Sequence, residues 1–86
     1  MDENAIEKLR ELGFTYNKSE DHCRMKHGKG RLIVWKNLST PGHCLAYDDR
    51  KGMSILMRTN IDIICEEIRS LIRDARIDEV LDQKTK

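Results

Sequence analysis

The stretch from Arg31 to Arg58, RLIVWKNLSTPGHCLAYDDRKGMSILMR, reads as strand, turn, strand, turn, strand. Arg31 to Lys36 opens it with four consecutive apolar residues, Leu32-Ile33-Val34-Trp35, the pattern of a strand covered on both faces. Asn37 to Gly42 holds the only proline, Pro41, followed by glycine, and reads as the longest loop of the sheet. His43 to Tyr47 is the next strand. Asp48-Asp49-Arg50-Lys51-Gly52 has turn chemistry, and Met53 to Met57 closes the meander. Met53, Ile55 and Met57 alternate, which assigns them together to the core.

Before this stretch, Asp21 to His27 alternates, with His22, Arg24 and Lys26 on one side and Cys23, Met25 and His27 on the other. Gly28-Lys29-Gly30 is a hairpin connection. Phe14-Thr15-Tyr16 begins a strand, and Asn17-Lys18-Ser19-Glu20 is a turn. Residues 3–12 carry apolar side chains at helical spacing, with Asp2 as N-cap and Gly13 at the left-handed C-cap position. After the stretch, Thr59 is the expected cap of an amphipathic helix, with Asp62 three residues on. Ile61, Ile64, Cys65, Ile68, Leu71, Ile72 and Ala75 form its stripe. Residues 77–82 either continue the helix or form a turn capped by Asp78. The expectation is a single α+β domain over residues 1–82 with a frayed tail at 83–86. It comprises an N-terminal helix, a three- or four-stranded antiparallel meander and a C-terminal helix, both helices on one sheet face. The opposite face is then free for function.

Eighty-six residues make one domain, and a core of that size is marginal on its own. The net charge of +1 hides an uneven distribution: residues 22–46 hold five basic side chains and no acid. Such asymmetry steers binding toward an acidic surface. Three scattered cysteines and the absence of a basic region followed by an apolar stretch after Met1 point to a reducing, cytoplasmic setting. The longest apolar run, Leu32 to Trp35, is far too short to span a bilayer, so no membrane partner is expected.

The candidate binding residues are Arg24, Lys26, Lys29, Arg31, Trp35 and Lys36, the basic ones meeting an acidic partner and Trp35 anchoring it. The plainer reading of these cations is a solvated edge that discourages sheet aggregation. Cys23, His27, His43 and Cys44 are zinc-ligand types, but on a strand Cys23 and His27 stand roughly 13 Å apart, so no metal is assigned. The cysteines fit better as small core residues. Cys44 beside His22 or His27 would be the only nucleophile–base pairing, and nothing in the spacing selects it. Asp48 and Asp49 suit a turn, and Gly28-Lys29-Gly30 lacks the rest of a phosphate-binding loop. No catalytic residue and no cofactor are assigned.

Ile6-Glu7-Lys8-Leu9-Arg10-Glu11-Leu12-Gly13-Phe14 and Ile68-Arg69-Ser70-Leu71-Ile72-Arg73-Asp74-Ala75 resemble the opening and closing segments of HicA-type toxins. These are small ribonucleases with a fold similar to double-stranded-RNA-binding domains. His22 falls near the position of that family's catalytic histidine. The family's Gly-Ser-His is Glu20-Asp21-His22 here, and Asn37 to Thr59 has no counterpart. The resemblance implies RNA binding or cleavage, with His22 as general acid/base. The residues themselves point first to a small non-enzymatic binding module, of inhibitor, immunity or accessory type, for a protein with an acidic surface. A nucleic-acid partner and a self-assembling homodimer are the alternatives.

Overall fold

The structure of the chain, a computed structural model, describes residues 1–37 and 42–84, and residues 76–84 by backbone alone. Its elements are α1 (Glu3–Glu11), β1 (Thr15–Asn17), β2 (His22–His27), β3 (Gly30–Lys36), β4 (His43–Asp48), β5 (Met53–Thr59) and α2 (Ile61–Lys84). The strands form one antiparallel sheet in the order β1-β2-β3-β4-β5. Five strands, rather than three or four, complete the meander. β1 is short, yet Thr15, Tyr16 and Asn17 pair with Arg24, Cys23 and His22. The Asn17 side chain closes the following turn by accepting the Ser19 amide at 3.1 Å, so three residues suffice to add a strand.

Both ends of α1 carry the caps its sequence encodes. Asp2 accepts the Ala5 amide at 2.8 Å. At the far end the Gly13 amide donates to Arg10 and the Phe14 amide to Leu9, a Schellman pair made around Gly13 at φ +108°. The cap of α2 is Asn60 rather than Thr59. Thr59 still pairs with His43 in the sheet, so the chain turns one residue later. There the Asn60 side chain accepts the Ile63 amide at 3.0 Å and its carbonyl accepts the Ile64 amide at 3.1 Å. From Ile61 the helix continues through Lys84. Of the expected tail, Gln83 and Lys84 therefore belong to α2, while Thr85 and Lys86 lie outside the described residues. So does the Leu38–Pro41 part of the predicted loop, whose ends meet through the Asn37 amide and the Gly42 carbonyl at 3.1 Å.

Register fixes the two faces. Tyr16, Cys23, Val34, Leu45 and Met57 stand in one row across the sheet, and Met25, Leu32 and Tyr47 in the next. These rows meet Ile6 and Leu9 of α1, Phe14, and Ile64, Cys65 and Ile68 of α2 in a single core. Both helices thus cover the same flank. Each large side chain buried there stabilises by about 1.5–3 kcal/mol.

The alternation of Met53, Ile55 and Met57 does not survive. Between Leu45 and Ala46 the register to β5 slips by one residue: Leu45 pairs with Met57 but Ala46 with Ile55, leaving Leu56 as a bulge. Met57 consequently packs on the core, whereas Ile55 and Met53 turn to the other flank and are 46% and 56% exposed.

Ile68 sits at full burial in the centre of the α2 stripe. Ile68→Ala is expected to lower stability by about 2–5 kcal/mol, measured as a fall in the urea midpoint at unchanged slope.

Candidate functional site

The flank that neither helix covers is built from alternate residues of four strands. One row runs His22, Trp35, Cys44, Arg58; the next Arg24, Ile33, Ala46, Ile55; the third Lys26, Arg31, Asp48, Met53. Four cations therefore share one surface with Trp35, which is half-buried in the first of these rows. Ile33, Cys44 and Ala46 are buried although no helix lies above them. Around Ile33, Arg24 and Ala46 stand directly across, with Arg31 and Trp35 two positions away on the same strand. Long cationic side chains commonly lay their methylene stems over apolar neighbours in this way. The flank is cationic at its rim and apolar along its centre.

At one end the surface sinks into a cavity of about 730 Å³, bordered by Arg24, Lys26, Lys29, Arg31, Asp48 and Arg50. Its shape depends on Gly30. A Cβ there would fall 2.1 Å from the Asp48 carbonyl oxygen, so only glycine lets the β2–β3 hairpin press against the β4–β5 turn. That contact brings Lys29 and Arg50, from two different turns, to one opening. Asp48 and Asp49 hold the second turn by accepting the amides of Arg50, Lys51 and Gly52 at 3.0–3.2 Å. Asp48 also accepts from the Arg31 guanidinium at 3.3 Å. Among the described residues, Arg24, Lys26, Lys29 and Arg50 form no ion pair. β1 stops at Thr15, so the outer edge of β2 beyond Arg24 has no strand beside it.

Of the residues singled out from sequence, Arg24, Lys26, Arg31 and Trp35 are brought together on the sheet face, and Lys29 joins them from the hairpin. Lys36 is separated from them. It shares the alternation of Leu32 and Val34 and pairs with His43 at the far end of the sheet, on the helix flank. Arg50 and Arg58 belong to the surface and were missed. The all-basic window ended at Ala46, whereas the meander returns Arg58 to the row of Trp35 and the turn contact brings in Arg50.

The histidines and cysteines do not form a reaction centre. Trp35 stands between His22 and Cys44, two inter-strand spacings of about 4.8 Å apart, which is out of hydrogen-bond reach. His22 Nδ1 lies 3.3 Å from Glu20 Oε2, and its buried Nε2 has no partner. Tyr47 donates to the His27 carbonyl at 3.1 Å and stands edge-on to the His27 ring. Among the described residues no three His, Cys, Asp or Glu side chains come together as a metal site. Cys23, Cys44 and Cys65 are free and buried, and burial raises the thiol pKa of Cys23 and Cys65. No described helix is long and apolar enough to cross a membrane. No family model, no curated protein and no solved structure matches this chain.

His43 is buried on the helix flank with neither ring nitrogen partnered, and burial pushes its pKa below the ordinary imidazole value. The unfolded chain therefore binds the proton more readily. The stability contributed by neutral His43 is complete above about pH 6.5 and is lost as pH falls toward the lower folded-state value. Melting temperature should drop on acidification from neutrality, and His43→Gln should flatten that drop. Gly30→Ala should cost about 1–3 kcal/mol by forcing the two turns apart, read as a shift in the thermal melt.

Proposed function

We propose that this chain is a non-enzymatic binding module that docks an acidic surface of a partner protein on its helix-free sheet face. The observation that carries this reading is that Arg24, Lys26, Arg31 and Arg58 share one flank with half-buried Trp35, with Ile55 and Met53 beside them. Arginine, tryptophan and methionine are the residue types that protein interfaces concentrate, while lysines usually stay at the rim. That division applies here, with Lys26 and Lys29 beside the cavity opening. The cations steer an acidic partner toward the face, and Trp35 with the apolar centre supplies contact area once water is expelled. Buried, unpaired thiols suit a reducing compartment, so the setting proposed is cytoplasmic.

A second reading, binding of RNA, is favoured by the cavity, where four cations without ion-pair partners suit phosphate, while Trp35, outside the cavity on the same flank, offers a face for a base. His22 has the Glu20 carboxylate at 3.3 Å but does not border the cavity, so cleavage has less support than binding.

The two readings separate on one set of variants. Arg24→Glu, Lys26→Glu and Arg31→Glu are combined, and wild type and triple variant are compared by affinity capture from nuclease-treated host lysate. The expected result is a protein held by wild type, released by salt, and lost with the triple variant. An unchanged set of bound proteins would overturn the surface assignment. A labelled-RNA gel shift that is strong at low salt and abolished in the variant would install the RNA reading instead.

A further inference from the structure

Five basic side chains border the cavity at the end of the cationic flank: Arg24 and Lys26 of β2, Lys29 of the following turn, Arg31 of β3 and Arg50 of the β4–β5 turn. The one acid beside them, Asp48, is engaged by the Arg31 guanidinium at 3.3 Å and by the Arg50 amide at 3.1 Å. Four cations from three separate segments are thus left, among the described residues, with no anion of the chain to meet. Lys26 and Arg31 pair directly across two strands, and Arg24 stands roughly 7 Å along β2 from Lys26. A single phosphate would meet only some of so wide a set. The volume of about 730 Å³ lies within the range of small-molecule sites, roughly 300–1,000 Å³. No aromatic residue is among those that line it, so the cavity holds no platform for a nucleobase.

We infer that this cavity binds a chain of linked phosphates of triphosphate length, free or carried by a nucleoside. Linked phosphates present several charges on contiguous oxygens, which guanidinium forks grip in pairs and ammonium groups meet as point charges. A nucleic-acid backbone instead sets a ribose between successive phosphates, so a cluster converging on one opening suits the linked chain better. The exposed Thr15 hydroxyl at the start of β1 adds an uncharged donor to the lining.

Arg50 fits this role. It sits at φ +76°, a conformation that glycine adopts without strain, yet the turn places an arginine there. Strained non-glycine backbone of this kind clusters at ligand clamps. The inference goes beyond the docking of a protein, and different residues separate the two. Lys29 and Arg50 border the cavity but stand outside the sheet rows, whereas Arg58 belongs to those rows and does not border the cavity.

Calorimetric titration of the whole chain with orthophosphate, pyrophosphate and tripolyphosphate, at fixed ionic strength and without magnesium, tests this. Affinity should rise along the series. Lys29→Gln and Arg50→Gly should each weaken tripolyphosphate binding by roughly tenfold. Arg50→Gly suits the left-handed turn, so the loss it causes is not a folding defect. Arg58→Gln, outside the cavity, should change that binding by less than about threefold. ATP and GTP bound as tightly as tripolyphosphate would show that the chain is read whatever carries it, and weaker nucleotide binding would assign the site to the inorganic chain. Three anions bound alike, or tripolyphosphate binding that survives both cavity variants, would overturn the inference and leave the docking proposal standing. So would discrimination between ATP and GTP, which needs a base-reading group. Failure of the lysate capture, conversely, leaves these titrations untouched.

Discussion

Burial of one sheet flank by both helices is the constraint from which the remaining features follow. Ile64, Cys65 and Ile68 of α2 and Ile6 and Leu9 of α1 share one core with Cys23, Leu32, Val34 and Leu45. In a strand, side chains alternate between faces, so committing Leu32 and Val34 to the helices commits Arg31, Ile33 and Trp35 to the opposite side. The same step, carried through the register, delivers Arg24 and Lys26 on β2 and Arg58 on β5. The cationic flank is thus the complement of the core. A one-residue slip between β2 and β3 would exchange the two sets and leave charges under the helices.

The cationic flank carries its own tension. Five basic side chains around one cavity repel one another, and the only acid in the lining, Asp48, is already engaged by Arg31 and a backbone amide. The fold holds them together by backbone geometry: the close approach at Gly30 and the Asp48–Gly52 turn, in which Arg50 adopts φ +76°. Net repulsion held in place by packing is the arrangement that an incoming anionic surface relieves.

Much of this was legible in the chain. Local signals with short reach read correctly: Asp2 and Gly13 bracket α1, and Gly28-Lys29-Gly30 marks a hairpin. The apolar stripe from Ile61 to Ala75 announces α2. The readings that failed each depended on partners distant in sequence. Thr59 resembles an N-cap when seen alone, but pairing with His43 keeps it in the sheet and passes the cap to Asn60. A strand is read from Phe14-Thr15-Tyr16, yet so short a segment left the expected count at three or four, and its register with β2 makes it the fifth. Lys36 belongs to the basic window by position, yet alternation sends it to the other flank, while Arg50 and Arg58 lie outside the window and return to the site through the meander.

The bulge at Leu56 shows how one residue divides the core from the surface. Without it, Met53, Ile55 and Met57 would keep a single alternation, and all three would face the helices opposite Leu45. With it, Met57 stays in the core while Ile55 and Met53 cross to the flank of Trp35. The core loses two large apolar groups, and the surface gains them at the edge farthest from β1. That exchange weakens a small domain whose core is already limited, since each such side chain is worth about 1.5–3 kcal/mol when buried. A bulge that only terminated the sheet would need no methionine or isoleucine on its exposed side. The placement is coherent when the apolar edge and the cationic flank are read as one surface that completes its burial against another molecule.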